Sequence, residues 1–391
     1  MTGSARAHRL ANIAPFEVME VLDAARRLEA TGVDVIHLEV GEPDFLTPAP
    51  VLRAAQAAID AHPMFYTSAL GMPELREAIS SWYASTFAVD IPAERIAVTA
   101  GSSAALLLAL AAVINPGDAA LISDPGYPCN RNFVRLFDAE PILVPSGPED
   151  RYQLTSRLAR AAWTPATRVA IAASPSNPTG TTMTQDEWVA LADVCRTNGG
   201  TLIADEIYQG LVYDHPPQTV LSVIDDVWVV NSFSKYFQMT GWRVGWMVIP
   251  DGAAREIEKL AQNIYISPTT PSQYGALAAL SPEGIAILEE RREELGARRD
   301  VLLEALPQIG FAVRARPEGA FYIYCDVSEH TDDSFAFARW LLEETGVAVT
   351  PGRDFGVAAP EQHIRIAYTQ PIDRLREAVA RIGDAVGRAR L

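Results

Sequence analysis

Lys235 stands in the run Ser232-Phe-Ser-Lys235-Tyr-Phe-Gln-Met239, four residues past the apolar stretch Val227–Asn231. An ammonium in such company loses solvation and becomes a better amine nucleophile, the property needed by a lysine that bonds a carbonyl carbon. A lysine snorkelling from a loop has the same appearance in isolation. Asp205 closes the run Thr201–Ala204, so its carboxylate points into the same crevice, where it can hold a ring nitrogen protonated or simply cap a helix. Ser102 and Ser103 open a long apolar stretch, where unpaired N–H groups and the positive end of a helix dipole favour a phosphate. Hydroxyls there also serve as plain caps. Arg243, eight residues after Lys235, and Ser232 can complete a phosphate cup, with Arg243 equally suited to a structural ion pair. Tyr127, which follows Pro125-Gly126, offers a ring to lay on a flat cofactor, and Asn177 and Tyr208 can hydrogen-bond a phenolic oxygen on it. Packing is the commoner use of such aromatics. Arg365, in the alternating run His363-Ile-Arg-Ile-Ala-Tyr368, faces away from Ile364 and Ile366 and can grip a carboxylate through two bonds, although a surface arginine shows the same pattern. Singly these residues say little; amine, acid, phosphate cup and stacking ring on one sheet edge are specific as a set.

The elements that must carry them alternate between residues 90 and 250. Strands are predicted at Ile96–Thr99, Ala119–Ser123, Arg168–Ala173, Thr201–Asp205 and Val227–Asn231, and helices at Ser102–Ile114 and Gln185–Thr197. Short, nearly all-apolar strands separated by helices predict an α/β fold with a mainly parallel sheet covered on both faces. Ligands in such sheets sit at the carboxyl ends of the strands, where these motifs fall. The last third reads differently, with a charged amphipathic stretch at Ile285–Leu306, alternating strands at Ala320–Asp326 and His363–Tyr368, and a closing helix from Ile372. The expected organisation is a large α/β unit over 46–285 and a smaller α+β unit built from 1–45 together with 286–391.

The chain of 391 residues carries 49 acidic against 32 basic side chains, a formal net charge of −17, which disfavours nucleic acid and anionic membrane surfaces as partners. The apolar run Ala104–Ile114 is far shorter than the roughly 20 residues that cross a bilayer, and the amino terminus lacks the apolar core of a secretory signal. Cys129, Cys195 and Cys325 are odd in number and widely spaced, so a disulfide framework or a metal site is not expected and a reducing cytoplasm is.

Read in order, Gly41-Glu-Pro-Asp44, Tyr66, Gly71-Met-Pro-Glu-Leu-Arg76, Ser176-Asn-Pro-Thr-Gly180, Asp205-Glu-Ile-Tyr208, Ser232-Phe-Ser-Lys235, Met239-Thr-Gly-Trp-Arg243, Gly319-Ala-Phe-Tyr322 and the Arg365 run resemble the class I/II aminotransferases of the fold-type I pyridoxal-phosphate enzymes. The resemblance covers essentially the whole chain. It implies that Lys235 bonds pyridoxal 5'-phosphate, that Asp205 pairs with the pyridine nitrogen, and that Tyr208 and Asn177 contact the ring oxygen. It further implies that Tyr127 stacks on the ring, that Ser102, Ser103, Ser232 and Arg243 bind the phosphate, and that Gly41, Asn177 and Arg365 meet the substrate. Tyr66 would reach the cofactor of a second subunit, making the active unit a homodimer. The freed lysine amine would serve as general base in a ping-pong exchange between an L-amino acid and a 2-oxo acid.

Some aspartate-type members carry a lysine where this chain has Ser103. Its absence favours neutral or aliphatic donors such as alanine or valine over a dicarboxylic substrate. An aspartate/2-oxoglutarate enzyme and a β-lyase or synthase on the same scaffold remain the alternatives, and the effector domain of a transcription regulator is disfavoured by the acidic balance and the early Gly41 motif.

Overall fold

The computed structural model describes residues 7–389, so residues 1–6 and 390–391 of the expected smaller unit lie outside the described residues. The chain opens with α1 (Glu17–Glu29) and the short strand β1 (Ile36–His37), then α2 (Ala49–Ala61) and α3 (Pro73–Phe87). Alternation follows: β2 (Ile96–Thr99), α4 (Gly101–Val113), β3 (Ala119–Asp124), α5 (Pro128–Leu136), β4 (Glu140–Pro145), α6 (Ser156–Ala162), β5 (Thr167–Ala173), α7 (Gln185–Thr197), β6 (Thr201–Asp205), β7 (Trp228–Ser232) and β8 (Gly245–Val248). Helices α8 (Ala254–Ile264), α9 (Thr270–Ala279) and α10 (Pro282–Ala305) lead to β9 (Tyr322–Asp326), α11 (Ser334–Thr345), β10 (Val347–Ala348), β11 (Thr350–Pro351), β12 (His363–Ala367) and α12 (Ile372–Ala389).

Seven strands form one sheet in the order β2-β8-β7-β6-β5-β3-β4. The pairs from β7 through β6, β5 and β3 to β4 are parallel, and β8 runs antiparallel to both its neighbours, β2 and β7. The sheet is mainly parallel, as the motif order predicts. Alternate residues of one strand enter opposite cores: Val169 and Ile171 of β5 belong to one hydrophobic cluster, Ala170 and Ala172 to the other. Both faces are therefore covered, which is why these strands read as continuous apolar runs without a polar face.

A second, three-stranded antiparallel sheet has the order β11-β12-β9, with Arg365 paired across to Thr350 on one side and Tyr324 on the other. The residues around position 36 join this carboxyl-terminal region, since β1 pairs in parallel with β10 and the Leu38 N–H donates to the Ala348 carbonyl at 2.9 Å. Ile323, Ile364 and Ile366 pack into the same cluster as Ala170 and Ala172. One apolar core thus runs beneath both sheets and fixes the Arg365 strand against the ends of β5 and β6.

Candidate functional site

A cleft of about 300 Å³ opens at the carboxyl ends of the parallel strands, where the large sheet meets the three-stranded one. Gly41, Ser102, Ser103, Tyr127, Asn177, Asp205, Tyr208, Lys235, Arg243 and Arg365 all line it. Ten residues spread over more than 300 positions of sequence meet in one place.

Lys235 follows β7, and its Nζ donates to the Gly41 carbonyl at 2.7 Å. The ammonium lies 5.8 Å from the centre of the Tyr208 ring and 5.7 Å from that of Phe321. Burial, then the positive charge of Arg365, pushes its pKa down to about 8, so a neutral amine is accessible near physiological pH. Asp205, the last residue of β6, is 3% exposed and accepts a bond from the Ile207 N–H at 3.1 Å. Burial raises its carboxyl to about 7, opposed by that N–H and by Lys235. A carboxylate held in this condition gains much from a cationic partner.

At the other end of the cleft, Gly101 makes the turn from β2 into α4 with φ of +77°, a conformation that disfavours a side chain. A Cβ there would lie 2.6 Å from Nη2 of Arg243. This close approach brings the guanidinium to the first turn of α4, beside Ser102 and Ser103. Ser234 lines the cleft with them, and its hydroxyl accepts from Arg243 Nη1 at 3.4 Å. Ser232 stands one layer back. Its hydroxyl donates to Ser234 Oγ at 2.9 Å and accepts from the Ser234 N–H at 3.0 Å, and it is absent from the cleft wall. Helix dipole, hydroxyls and guanidinium together make an anion seat.

Arg365 is 5% exposed, which removes the reading of it as a surface arginine. Nη1 donates to Asn177 Oδ1 at 3.0 Å, and Nη2 to the Glu39 carbonyl at 2.5 Å and to Thr350 Oγ1 at 3.1 Å. The guanidinium lies 4.3 Å from the Tyr322 ring centre and 4.9 Å from that of Phe355, while its buried Nε has no partner. A buried cation oriented by these partners on the cleft wall is a second anion seat. Tyr208 and Tyr322 share a hydroxyl–hydroxyl bond of 2.9 Å, and burial pushes both phenols upward, as it does Tyr127. The Tyr322 hydroxyl also sits so close to Gly41 that any Cβ at 41 would collide with it.

Tyr66 is not brought to the cleft of its own chain and is 77% exposed. Sequence reasoning assigned no role to Tyr322 or Ser234, although both lie in motifs it quoted. It missed Glu39, Thr350 and Asp354, whose contributions come through a backbone carbonyl, a strand partner and a loop with no local signal. It also missed the apolar wall of Phe16, just before α1, and Val18, Met19 and Leu22 of α1. Among the lining residues the cations are Lys235, Arg243 and Arg365. An amine, a buried carboxylate at the end of β6 and two separate anion seats fit a group with an electrophilic carbon, a basic ring nitrogen and a phosphate, with a carboxylate-bearing substrate beside it. Among the described residues no cluster of three or more His, Cys, Asp or Glu could hold a metal ion, and no helix is long and apolar enough to cross a membrane.

The model of the family "Aminotransferase class I and II" matches residues 33–382. The chain is 40% identical over 375 residues to the valine–pyruvate aminotransferase of Mycobacterium tuberculosis, covering 95% of this chain and 96% of that one. It is 37% identical over 391 residues to the aspartate/prephenate aminotransferase of Cereibacter sphaeroides, covering 95% and 96%. A crystal structure of an aminotransferase from Mycobacterium tuberculosis superimposes with a TM-score of 0.95 at 39% identity, over 99% of this chain and all of that one.

Proposed function

From the chain's membership of the class I and II aminotransferases, which makes it a pyridoxal-phosphate-dependent transaminase, we propose that its amino donor is a neutral, aliphatic L-amino acid such as valine or alanine. The acceptor in this reading is pyruvate or 2-oxoglutarate, and the exchange is ping-pong. The carrying observation is the composition of the cleft: Phe16, just before α1, and Val18, Met19 and Leu22 of α1 line it, and every lining cation has another task. A distal carboxylate would find no partner there and would lose its hydration. The named activity of the relative at 40% identity agrees with this choice.

Bound pyridoxal phosphate supplies an aldehyde that takes an amine and a ring that draws electron density from the neighbouring carbon. The protein does the rest. Ser102, Ser103, Ser234 and Arg243 grip the phosphate, with Ser232 fixing the Ser234 hydroxyl. Asp205 keeps the ring nitrogen protonated, Tyr127 covers one ring face, and Asn177 and Tyr208 hold the ring oxygen. Lys235 would hold the cofactor's aldehyde carbon and serve as the base for the proton at the substrate Cα, a role its lowered pKa suits near neutrality. Arg365, a cation on the cleft wall, would take the α-carboxylate, with Gly41 lining the cleft beside Lys235.

The active unit in this reading is a homodimer in the cytoplasm. Phe65 and Tyr66 are each 77% exposed and Leu46 83%, an apolar set that a second copy would cover, bringing Tyr66 to the partner's phosphate seat. Cys129, Cys195 and Cys325 are unpaired, in keeping with a reducing compartment. The same reading divides the chain into a cofactor-binding unit over 46–285 and a smaller unit from the two ends, supported by the pairing of β1 with β10.

The deciding experiment records the absorption spectrum of cofactor-loaded protein with single amino acids and no oxo acid. Valine and alanine should convert the band near about 400 nm to one near about 330 nm, and aspartate should do so at least roughly tenfold less efficiently. Equal conversion by aspartate returns the assignment to the aspartate type; release of ammonia and pyruvate makes the protein a lyase.

A further inference from the structure

We propose that Asp354 is a positioning residue for substrate selection: its carboxylate seats α1 on the cleft, and the seated helix sets how long an amino-acid side chain the site accepts. The proposal rests on the aminotransferase reading given above and adds the residue that enforces it.

Helix α1 begins after Phe16, a residue with no side-chain acceptor for the first turn. Such a turn leaves backbone donors without partners. Asp354 provides for two of them from 337 positions away: the Glu17 N–H donates to Oδ1 at 2.7 Å and the Val18 N–H to Oδ2 at 2.8 Å. The carboxylate is 3% exposed, and the residue's own carbonyl accepts from Arg131 Nη2 at 3.0 Å. The latch is thus anchored on the side of the large sheet, through α5, while what it holds belongs to the amino-terminal helix.

Beyond this latch the helix is held by an apolar cluster in which Val21 and Ala25 pack with Val35, Leu342 and Ala348. Val21 and Ala25 are its fully buried residues, and a groove of about 540 Å³ lies on its far side, against Phe335, Arg339 and Leu342 of α11. Its first turns border that groove on one side and the reaction cleft on the other. Phe16, Val18, Met19 and Leu22 line the cleft from the very segment that Asp354 ties down, and Asp354 lines it too. Isopropyl and isobutyl groups on the substrate reach further toward this wall than a methyl group does. Releasing the latch therefore removes apolar contact from the larger donors and leaves alanine nearly untouched. Charge-assisted bonds to backbone N–H groups are the strong kind, and their loss frees the turn rather than shifting it by a fixed amount.

The test compares cofactor-loaded wild type with Asp354→Ala and Asp354→Asn, the latter keeping one acceptor oxygen. Amide hydrogen exchange over residues 16–29 is measured without any amino acid, and KM and kcat are measured for alanine, valine and leucine. Expected for Asp354→Ala are exchange in the first turn of α1 faster by roughly tenfold or more, with β5 and β6 unchanged. KM for valine and leucine should rise by roughly tenfold against less than about threefold for alanine, with kcat little altered. Asp354→Asn should fall between, and it carries the test if Asp354→Ala does not fold. Unchanged exchange in α1 overturns the latch, and a freed helix with an unchanged valine-to-alanine ratio overturns its role in selection. If the wild type turns over none of the three amino acids, the donor assignment has failed, and the latch is then judged on exchange alone.

Discussion

At the scale of single residues, the site is an arrangement of groups each left short of a partner. Asp205 is a buried carboxylate with one backbone donor, Arg365 a buried guanidinium with Nε free, and Lys235 an amine whose charge is resisted by burial and by Arg365. Such states cost stability and persist where a ligand completes them. Replacing Asp205 with Asn should leave cofactor uptake measurable and lower the transamination rate by roughly a hundred- to a thousandfold, since the ring nitrogen loses its anion. Lys235 has a folded pKa of about 8, below the usual lysine value, so the reactive neutral amine grows in as pH rises toward 8. The rate at which cofactor-free protein takes up pyridoxal phosphate should climb about tenfold per pH unit below that value and level off above it. Removing the Arg365 charge by Arg365→Gln should move the midpoint upward; a wild-type midpoint near that of free lysine would refute the picture. Lys235, Asp205, Ser102 and Arg243 were legible because their types and spacing are tied to the ends of apolar runs. Glu39 was not, because it serves Arg365 through a carbonyl that every residue possesses.

At the scale of elements, what positions those groups is a set of strand ends and two tight approaches. Helix α7 has the bounds predicted for it, with Thr184 and Glu187 bonding reciprocally across its first turn, a signal written in adjacent residues. Strand β4 escaped prediction because Pro141 and Pro145 bracket it; it pairs only with β3 at the sheet edge, where a missing N–H is tolerated. Strand β8 escaped because it opens on Gly245, a residue that weakens a strand pattern, soon after the turn Thr240–Trp242. Its antiparallel course matters to the site, for Gly245 in β8 pairs with both Thr99 and Ser232 and aligns the phosphate seat with the lysine strand. The Gly101 turn allows a sharp test. Gly101→Ala places a methyl group against Arg243 and an L-residue in the left-handed region, which should cost about 1–2 kcal/mol of stability. It should also weaken cofactor binding by more than the melting temperature explains. A fall in stability with cofactor affinity intact would mean that Arg243 does not belong to the seat.

At the scale of the molecule, the buried ionisable groups make stability a function of pH in a direction opposite to simple acid denaturation. His37, held by Glu39 at 2.7 Å and reached by Glu29 at 3.2 Å, has its imidazole raised to about 9, chiefly by the Glu39 bond and against burial. A raised histidine binds its proton more tightly when folded, so its contribution is fully present below about pH 6.5 and is lost as pH rises through 9. Asp205 and Glu206, raised by burial to about 7 and 8, act in the same sense, because the folded protein keeps protons that the unfolded chain has released above pH 4. Lys235, lowered to about 8, opposes them, adding stability only between about 8 and its ordinary value near 10.5. Carboxylates held low, Asp214 by Arg316 and Arg299 and Asp326 by Ser328 and then Arg314, withdraw support on acidification below about pH 4. The melting temperature of cofactor-free protein should therefore decline as pH rises from about 5 toward 9, more steeply once His37 begins to titrate. His37→Gln should remove part of that decline, on the order of 1–2 kcal/mol once solvent screening at the partly exposed His37 is allowed for. Glu39 would then remain buried with a neutral partner, so the variant should be less stable than wild type at pH 6 and close to it at pH 9. Curves for the two proteins that stay parallel from pH 6 to 9 would show that the His37–Glu39 pair is not the titrating element.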